Sequence, residues 1–480
     1  MLNDRLRIQL LSDAELDRIE ETAYTLLDEV GIELKHKLAT EMLHGLGCRV
    51  ERDRVYIPRK VVEWGLKNVT PHNEFYNRDG SHAFTFGDNR LRFHNAGGLP
   101  FLYDLDTGER RRPTLGDVAD ATRVLDALPN VDVVIPLLGP TDAPPELLAV
   151  ASTDAMLRNT RKPFSAAAIE LPQDVPYVVE MAAACCGGMD AYRRHPTMYI
   201  SVSPVSPLRF PNDVTSTIIA VARSGTPFNT LPAPSLGATG PITLAGALSQ
   251  QHAEVVASFV IAAAANPGAV VTYCSRINPV DPRTAISSWG GPEIGMAGAC
   301  ATQLAHRLGL PCDSFGFCTS ATRLDPQFAY ERLINALTPA LAGVDILSGV
   351  GGTESVMAGG LEIAVIDDEI ISLMKHLFGG VVVDDATLAL DVMREVIPRD
   401  GVFLGEMHTV KQIRKGAIWM PTVGDRTGTV SGVDRARTRV REILRTHQAP
   451  SLPDDVVRQL DEIMERARRE LVAHSVADQK

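Results

Sequence analysis

Aromatic side chains are scarce in this sequence, 5% of 480 residues, so any local gathering of them is informative about a site. Seven cysteines are present, but none forms a C-x-x-C pair or a Cys/His cluster with zinc-finger spacing. That absence excludes a disulfide framework and a structural zinc, and suggests a reducing, cytoplasmic compartment. Long apolar runs are also missing. The longest, around Val255 to Ala265, is bounded by Glu254 and Asn266 and is too short to cross a bilayer. The opening MLNDRLRIQLLSDAELDRIEE is too charged for a signal peptide, and no membrane partner is expected. A surplus of positive charge is lacking as well. The formal net charge of −12 argues against nucleic acid as a partner, because phosphate binding draws on lysine and arginine. Arg110-Arg111-Arg112 reads as solvated loop charge. No G-x-G-x-x-G opens a helix, no G-K-[ST] closes a phosphate loop, and no lysine stands at a candidate strand end to form a Schiff base.

What remains is ordinary globular composition, 45% hydrophobic and 22% charged, enough for one large core with appended segments. From Asp13 to Leu46, Leu16, Ile19, Ala23, Leu26, Leu27 and Val30 recur at helical spacing behind Ser12, and Gly31 marks a stop. Short alternating stretches follow at Val55 to Ile57, Ala83 to Phe86 and Leu91 to Phe93, and predict a small antiparallel sheet. From about Pro129 the pattern changes. Compact apolar runs now end in Pro, Gly, Ser or Asn and alternate with helix-length segments, as a parallel α/β fold requires. Candidate strands are Val131 to Leu138, Pro163 to Ile169, Thr197 to Val202, Pro227 to Ala233, Ala269 to Ser275, Pro311 to Gly316, Val344 to Gly349 and Val381 to Asp384. Eight such units predict a TIM (β/α)8 barrel, an α/β fold, with an open doubly wound sheet as the alternative. The predicted division is an N-terminal helical and small-sheet segment at 1–128, the barrel at 129–400, and a C-terminal loop and helical cap at 401–480.

Several phrases, in order, resemble the trimethylamine methyltransferase superfamily, which includes members acting on glycine betaine and other quaternary amines. They are DLDTGERRRPTLGDVADATRVLDAL (104 to 128), ISVSPVSPLRF (200 to 210), GATGPITLAGALSQQHAEVV (237 to 256), GGPEIGMAGACATQLAHRLGLP (290 to 311) and the stretch from Asp345 to Ile370. The resemblance implies a barrel with its pocket at the carboxyl ends of the strands. It also implies a partner protein that brings a corrinoid (cobalamin), with no tightly bound cofactor in this chain. No D-x-H-x-x-G cobalamin phrase is present, so cobalt is expected on another polypeptide. Trimethylamine enzymes of this family carry pyrrolysine after the sixth strand. Here that stretch, Cys312 to Cys318, has ordinary residues only. The implied substrate is therefore a quaternary amine such as glycine betaine, already activated by its fixed charge, and the implied assembly is a homo-oligomer.

Holding such a cation calls for aromatic faces and carboxylates. Tyr273, Trp289, Phe315 and Phe317 cluster around the fifth and sixth strands, with Asp313 nearby; each aromatic reads equally as core packing. Glu254 and Glu293 lie in family-like phrases as candidate catalytic acids, and first-turn helix acids are the plain alternative. Arg276 and Arg323 could receive a substrate carboxylate. His94 and His408 could contact that carboxylate or the corrinoid, although a lone histidine is more often structural. After the seventh strand, Gly349, Gly351, Gly352 and Glu354 sit in a glycine run that would let a bulky corrinoid approach, or would simply serve a tight turn. Two other functions stay open. One is a zinc-assisted corrinoid methyltransferase using His252, Cys274 and Cys312. The other is a non-catalytic barrel that binds quaternary amine or corrinoid.

Overall fold

The run Ala-Val-Val-Thr-Tyr-Cys-Ser is buried along nearly its whole length, and its β-branched residues suit a strand covered on both faces. It is one of seven parallel strands on the main path of an eight-stranded sheet, whose eighth strand, Val69–Pro71, pairs parallel with Ala269–Val271 off that path, in a computed structural model that describes residues 6–88, 90–166, 171–399 and 401–478. The strands are β1 (Arg92–Asn95), β2 (Phe164–Ser165), β3 (Met198–Val202), β4 (Phe228–Thr230), β5 (Ala269–Ser275), β6 (Cys312–Phe315) and β7 (Ile346–Val350). They pair in the order β2-β3-β4-β5-β6-β7-β1, so the sheet curls back toward its start. Between its two end strands runs the segment 133–138, held by isolated parallel bridges from Val133 to His94, from Leu138 to Leu99 and from Val134 to Phe164. The Asn95 side chain joins this seam like a peptide group. It donates to the Ile135 carbonyl at 2.7 Å and accepts from the Ile135 amide at 2.9 Å.

Helices follow the strands on the outside: α1 (Leu115–Ala127), α2 (Leu148–Leu157), α3 (Val175–Cys185), α4 (Asn212–Ser224), α5 (Leu244–Ala265), α6 (Glu293–Arg307), α7 (Pro326–Ala342) and α8 (Leu361–Phe378). In α5, every residue from Ala247 to Ala263 is buried, which explains the long apolar run there. The amino ends of the strands are plugged by a hairpin, Glu74–Tyr76 against His82–Thr85. Its Phe75 and Phe84 rings stack at 4.6 Å and pack with Phe86, Val133, Tyr199 and Ile346. With that end filled, the space for chemistry lies at the carboxyl ends.

Two sequence expectations are corrected. Val381 to Asp384 is not a strand: Val381, Val382 and Val383 are 84%, 63% and 71% exposed, an apolar run with no sheet to enter. The strand missing from that count is β1, whose neighbourhood the alternation assigned to a separate antiparallel sheet. All four of its residues are buried and it pairs parallel with β7. Antiparallel pairing instead joins Arg49–Glu51 and Ile32–Leu34 to Arg54–Tyr56, Phe101–Tyr103 to Arg110–Arg111, Gly352–Thr353 to Ala358–Gly359, and the two strands of the plug hairpin. Of the candidate strand Pro163 to Ile169, residues 167–169 lie outside the described residues. The C-terminal helices α9 (Gly432–Thr446) and α10 (Asp454–Asp478) are not merely an exposed cap. One face of α9 buries Ala436, Val440 and Ile443 against α8 and α1, and α10 packs on α3. No described helix is long and apolar enough to cross a membrane.

Candidate active site

Alternation along β6 decides which residues reach the interior. Cys312 lies behind the sheet near Thr302 of α6, so Asp313 and Phe315 point inside. Asp313 is 1% exposed and collects charge-assisted partners from three strands. Arg276 Nη2, at the end of β5, donates to its Oδ1 at 2.9 Å. His94 Nε2 of β1 lies 3.2 Å from its Oδ2, and Asn229 Nδ2 of β4 donates to that same oxygen at 3.2 Å. Burial alone would push this carboxyl upward. Arg276 and His94 overcome the penalty and hold it well below the usual carboxylate range, so the site contains a fixed anion. Arg276 is itself held by the Ser275 carbonyl at 2.8 Å and the Asp313 carbonyl at 3.2 Å.

The surrounding interior is polar and only partly satisfied. The Tyr199 hydroxyl, Asn229 Oδ1 and Thr272 Oγ1 have no hydrogen-bond partner among the described residues, although buried polar atoms are normally paired. Burial, reinforced by Asp313 and Cys274, raises the Tyr199 hydroxyl well above its ordinary value, so it stays a neutral donor. On the outer side, Phe315 meets the Trp289 ring edge-on at 5.1 Å, and the Arg276 guanidinium stands 5.4 Å from the Phe315 centroid. The result is a graded site: fixed anion, guanidinium, then an aromatic pair reaching toward solvent.

Five expected residues therefore meet: His94, Arg276, Trp289, Asp313 and Phe315. Others do not join them. Tyr273 is one residue out of phase and faces α5, where its hydroxyl lies 3.1 Å from His252 Nδ1. Phe317, 1% exposed, packs behind the sheet on Phe93. Both are core residues. Glu293, at the first position of α6, is half-buried and no contact joins it to Asp313. Arg323 is exposed on the loop after β6. His408 lies in the C-terminal segment, 2.9 Å from the Ala386 carbonyl. The glycine run is buried and internally bonded. Gly349 has φ +107°, and a Cβ there would meet the Phe317 carbonyl at 2.8 Å. The Gly351 amide donates to Asp367 at 2.7 Å and the Gly352 carbonyl accepts from Arg332. A tight turn accounts for these glycines. Glu354 is committed to Tyr103 and Arg110. The zinc set does not converge, because Cys274 pairs beside Asp313 and faces inward while Cys312 and His252 lie behind the sheet. No metal-binding group of three or more His, Cys, Asp or Glu exists among the described residues.

Glu254 is fully buried in α5 and accepts from the Ser206 hydroxyl at 2.8 Å, the Leu208 amide at 2.9 Å and Gln250 at 3.0 Å. It moors the loop after β3. Glu254→Ala strands three donors and should lower stability by about 2–3 kcal/mol in urea unfolding; no change in midpoint would contradict this mooring role. Asp174, after β2, is 4% exposed and its Oδ1 has no partner among the described residues. Burial pushes its carboxyl up to about 7, above the unfolded value of about 3.9. The folded protein then binds more protons between those values, so stability falls as pH rises from about 4 to about 7. Asp174→Asn should flatten that decline in melting curves and be the more stable protein at neutral pH; parallel curves for the two proteins would refute it.

Asn229 and Tyr199 were missed by the sequence reading. Their signal was the polar residue at an alternate position within an otherwise apolar strand.

A sequence model of the family described as trimethylamine methyltransferase (MTTB) matches residues 1–472. The glycine betaine methyltransferase of Desulfitobacterium hafniense is 29% identical over 474 residues, covering 97% of this chain and 98% of the relative. A trimethylamine methyltransferase from another strain of that species is 30% identical over 469 residues, covering 96% of this chain and 94% of the relative. Among solved structures, the monomethylamine methyltransferase of Methanosarcina barkeri covers 98% of this chain and 96% of its own, at 15% identity and a TM-score of 0.45. The chain belongs to the trimethylamine methyltransferase family.

Proposed function

We propose that this protein moves a methyl group from a quaternary amine such as glycine betaine to the Co(I) corrinoid of a partner protein. The observation that carries the reading is the Arg276–Asp313 pair set beside the Trp289–Phe315 aromatic pair at the open end of the sheet. A betaine is a zwitterion with that same polarity. Its carboxylate suits the guanidinium, and its methylated ammonium suits an aromatic face within the field of a fixed anion. The glycine betaine and trimethylamine methyltransferases among the relatives support a methylated amine as substrate.

The residues fit a docked partner. Val205, Ile242, Ile286 and Met357 are exposed, and each stands on a connection leaving the carboxyl end of a different strand, an apolar surface suited to protein contact. When docked, the corrinoid supplies the nucleophile that accepts the methyl group. The rest falls to this chain. Arg276 and Trp289 fix the substrate so that one C–N bond points outward. The amine departs with the C–N electron pair and needs no proton, which agrees with a site whose carboxylate is held ionised instead of poised to donate.

In this reading the curled sheet is a (β/α)8 barrel with segment 133–138 as its second strand. The barrel unit proposed for 129–400 then draws its first strand from Arg92–Asn95, flanked by the remaining N-terminal segment and the C-terminal region from 401. The enzyme acts in the cytoplasm as a homo-oligomer, a proposal supported by the exposed Val381, Val382, Val383, Leu404 and Met407.

The test is methylation of reduced corrinoid, read from its visible spectrum, with trimethylamine, glycine betaine, carnitine, proline betaine and choline. Activity with a carboxylated quaternary amine and none with trimethylamine is expected. Amine binding by calorimetry without any methylation would favour a non-catalytic binding barrel, and neither binding nor methylation would sink the substrate class.

A further inference from the structure

A cleft of about 320 Å³ opens on the rim of the carboxyl face, between the loops after β6 and β7 and helix α9. None of the side chains lining it bonds to Asp313, Arg276 or His94. Its floor includes Glu362, in the first turn of α8, only 2% exposed. Glu362 Oε1 lies 3.4 Å from the Arg437 guanidinium of α9, a long contact. Its Oε2 has no hydrogen-bond partner among the described residues. A buried carboxylate oxygen left in this way costs free energy that a donor would relieve. Burial pushes the Glu362 carboxyl above its ordinary range, opposed in part by its own backbone amide at the helix start and by Arg437. Leu324, Ile363 and Val433 supply apolar wall. At the open side stands Arg323, exposed and with no ion pair or hydrogen bond of its guanidinium among the described residues.

We infer that this cleft binds a small aliphatic amino-acid zwitterion, its N–H-bearing ammonium on Glu362 and its carboxylate on Arg323. Each part of that ligand answers one feature. The missing donor at Oε2 calls for N–H groups, the aliphatic walls for a short methylene spacer, and the unpaired guanidinium for an acid. The volume is at the small end of ligand pockets, which fits a molecule of this size. The requirement for N–H also separates this cleft from the central site. A quaternary ammonium has no hydrogen to give Glu362, so a betaine is a poor ligand here. Because α8, α9 and the β6 loop all contribute, occupancy ties the C-terminal helices to the barrel and should raise the melting temperature.

The test uses the full-length protein titrated calorimetrically with glycine, β-alanine, γ-aminobutyrate and δ-aminovalerate, followed by the N,N,N-trimethyl form of the tightest binder. One member of the series should bind with unit stoichiometry and raise the melting temperature, and any binding of its trimethyl form should be unaffected by substitution of Glu362 or Arg323, since a quaternary ammonium is held at the central site instead. Glu362→Gln and Arg323→Ala should each weaken binding by about tenfold or more. Arg323 is exposed, so its replacement tests the assignment even if Glu362→Gln disturbs folding. The absence of binding by every member of the series would overturn the proposal. So would binding that both substitutions leave intact, or a trimethyl form whose binding Glu362→Gln and Arg323→Ala weaken as much as they weaken that of its parent.

Discussion

Arg332→Met should destabilise the protein by about 3–5 kcal/mol, because it leaves the Asp367 carboxylate buried without its counter-charge. Both side chains are 0% exposed. Arg332 Nε donates to Asp367 Oδ1 at 2.7 Å, its Nη2 pairs with Oδ2, and its other donors reach the Gly352 and Gly349 carbonyls. The ring of Phe328 lies 4.8 Å from the guanidinium. The pair thus fastens α7 and α8 to the turn after β7, and the backbone of that turn depends on it. Replacing both residues by apolar ones should recover only part of the loss. The Gly351 amide and the two glycine carbonyls would still lack partners, at about 1–3 kcal/mol for a stranded group. Urea unfolding of the single and double variants measures this directly. A single substitution that leaves the midpoint unchanged would show that the turn stands without the pair.

Arg276→Lys should lower kcat/KM for glycine betaine by about 100-fold, mostly through KM, because an ammonium cannot serve Asp313 and a substrate carboxylate together. Arg276 already spends donors on Asp313 Oδ1 and on the Ser275 and Asp313 carbonyls. A planar fork can hold these and face a ligand; a point charge cannot. Choline, which lacks the carboxylate, is the internal control and should lose far less. Equal losses for betaine and choline would assign Arg276 to holding Asp313 alone.

Much of this fold was legible because parallel strands buried on both faces stand out as compact apolar runs. β5 is the clearest case. The failures have physical causes. Val381 to Val383 has strand composition, yet nothing packs on it, and composition does not report a neighbour. The alternation carries β1 as a strand only to Phe93 and gives it to a separate antiparallel sheet, because His94 and Asn95, which serve the interior and the seam to Ile135, look like loop residues to a pattern that rewards apolar side chains. At the site, Asp313 and Arg276 were singled out near strand ends, and His94 by a family-like phrase ahead of the expected barrel. Tyr273 was misassigned by parity: one step along a strand turns a side chain from the interior to the helix layer. Phe317 lies beyond the end of β6, where alternation no longer applies. Glu254 stood in the expected phrase but moors a loop, since three donors converge on it instead of a ligand. Asn229 went unnoticed because a polar residue inside a strand is read as a weak strand, although a buried polar side chain there is a sign of an interior site.

A crystal structure of the full-length protein with glycine betaine would show which side chains hold each end of the zwitterion. The betaine carboxylate is expected within hydrogen-bond distance of Arg276 and its trimethylammonium group against the Trp289 ring, inside the carboxyl end of the sheet. Betaine bound elsewhere, or in reverse with its carboxylate against the aromatic pair, would contradict this placement.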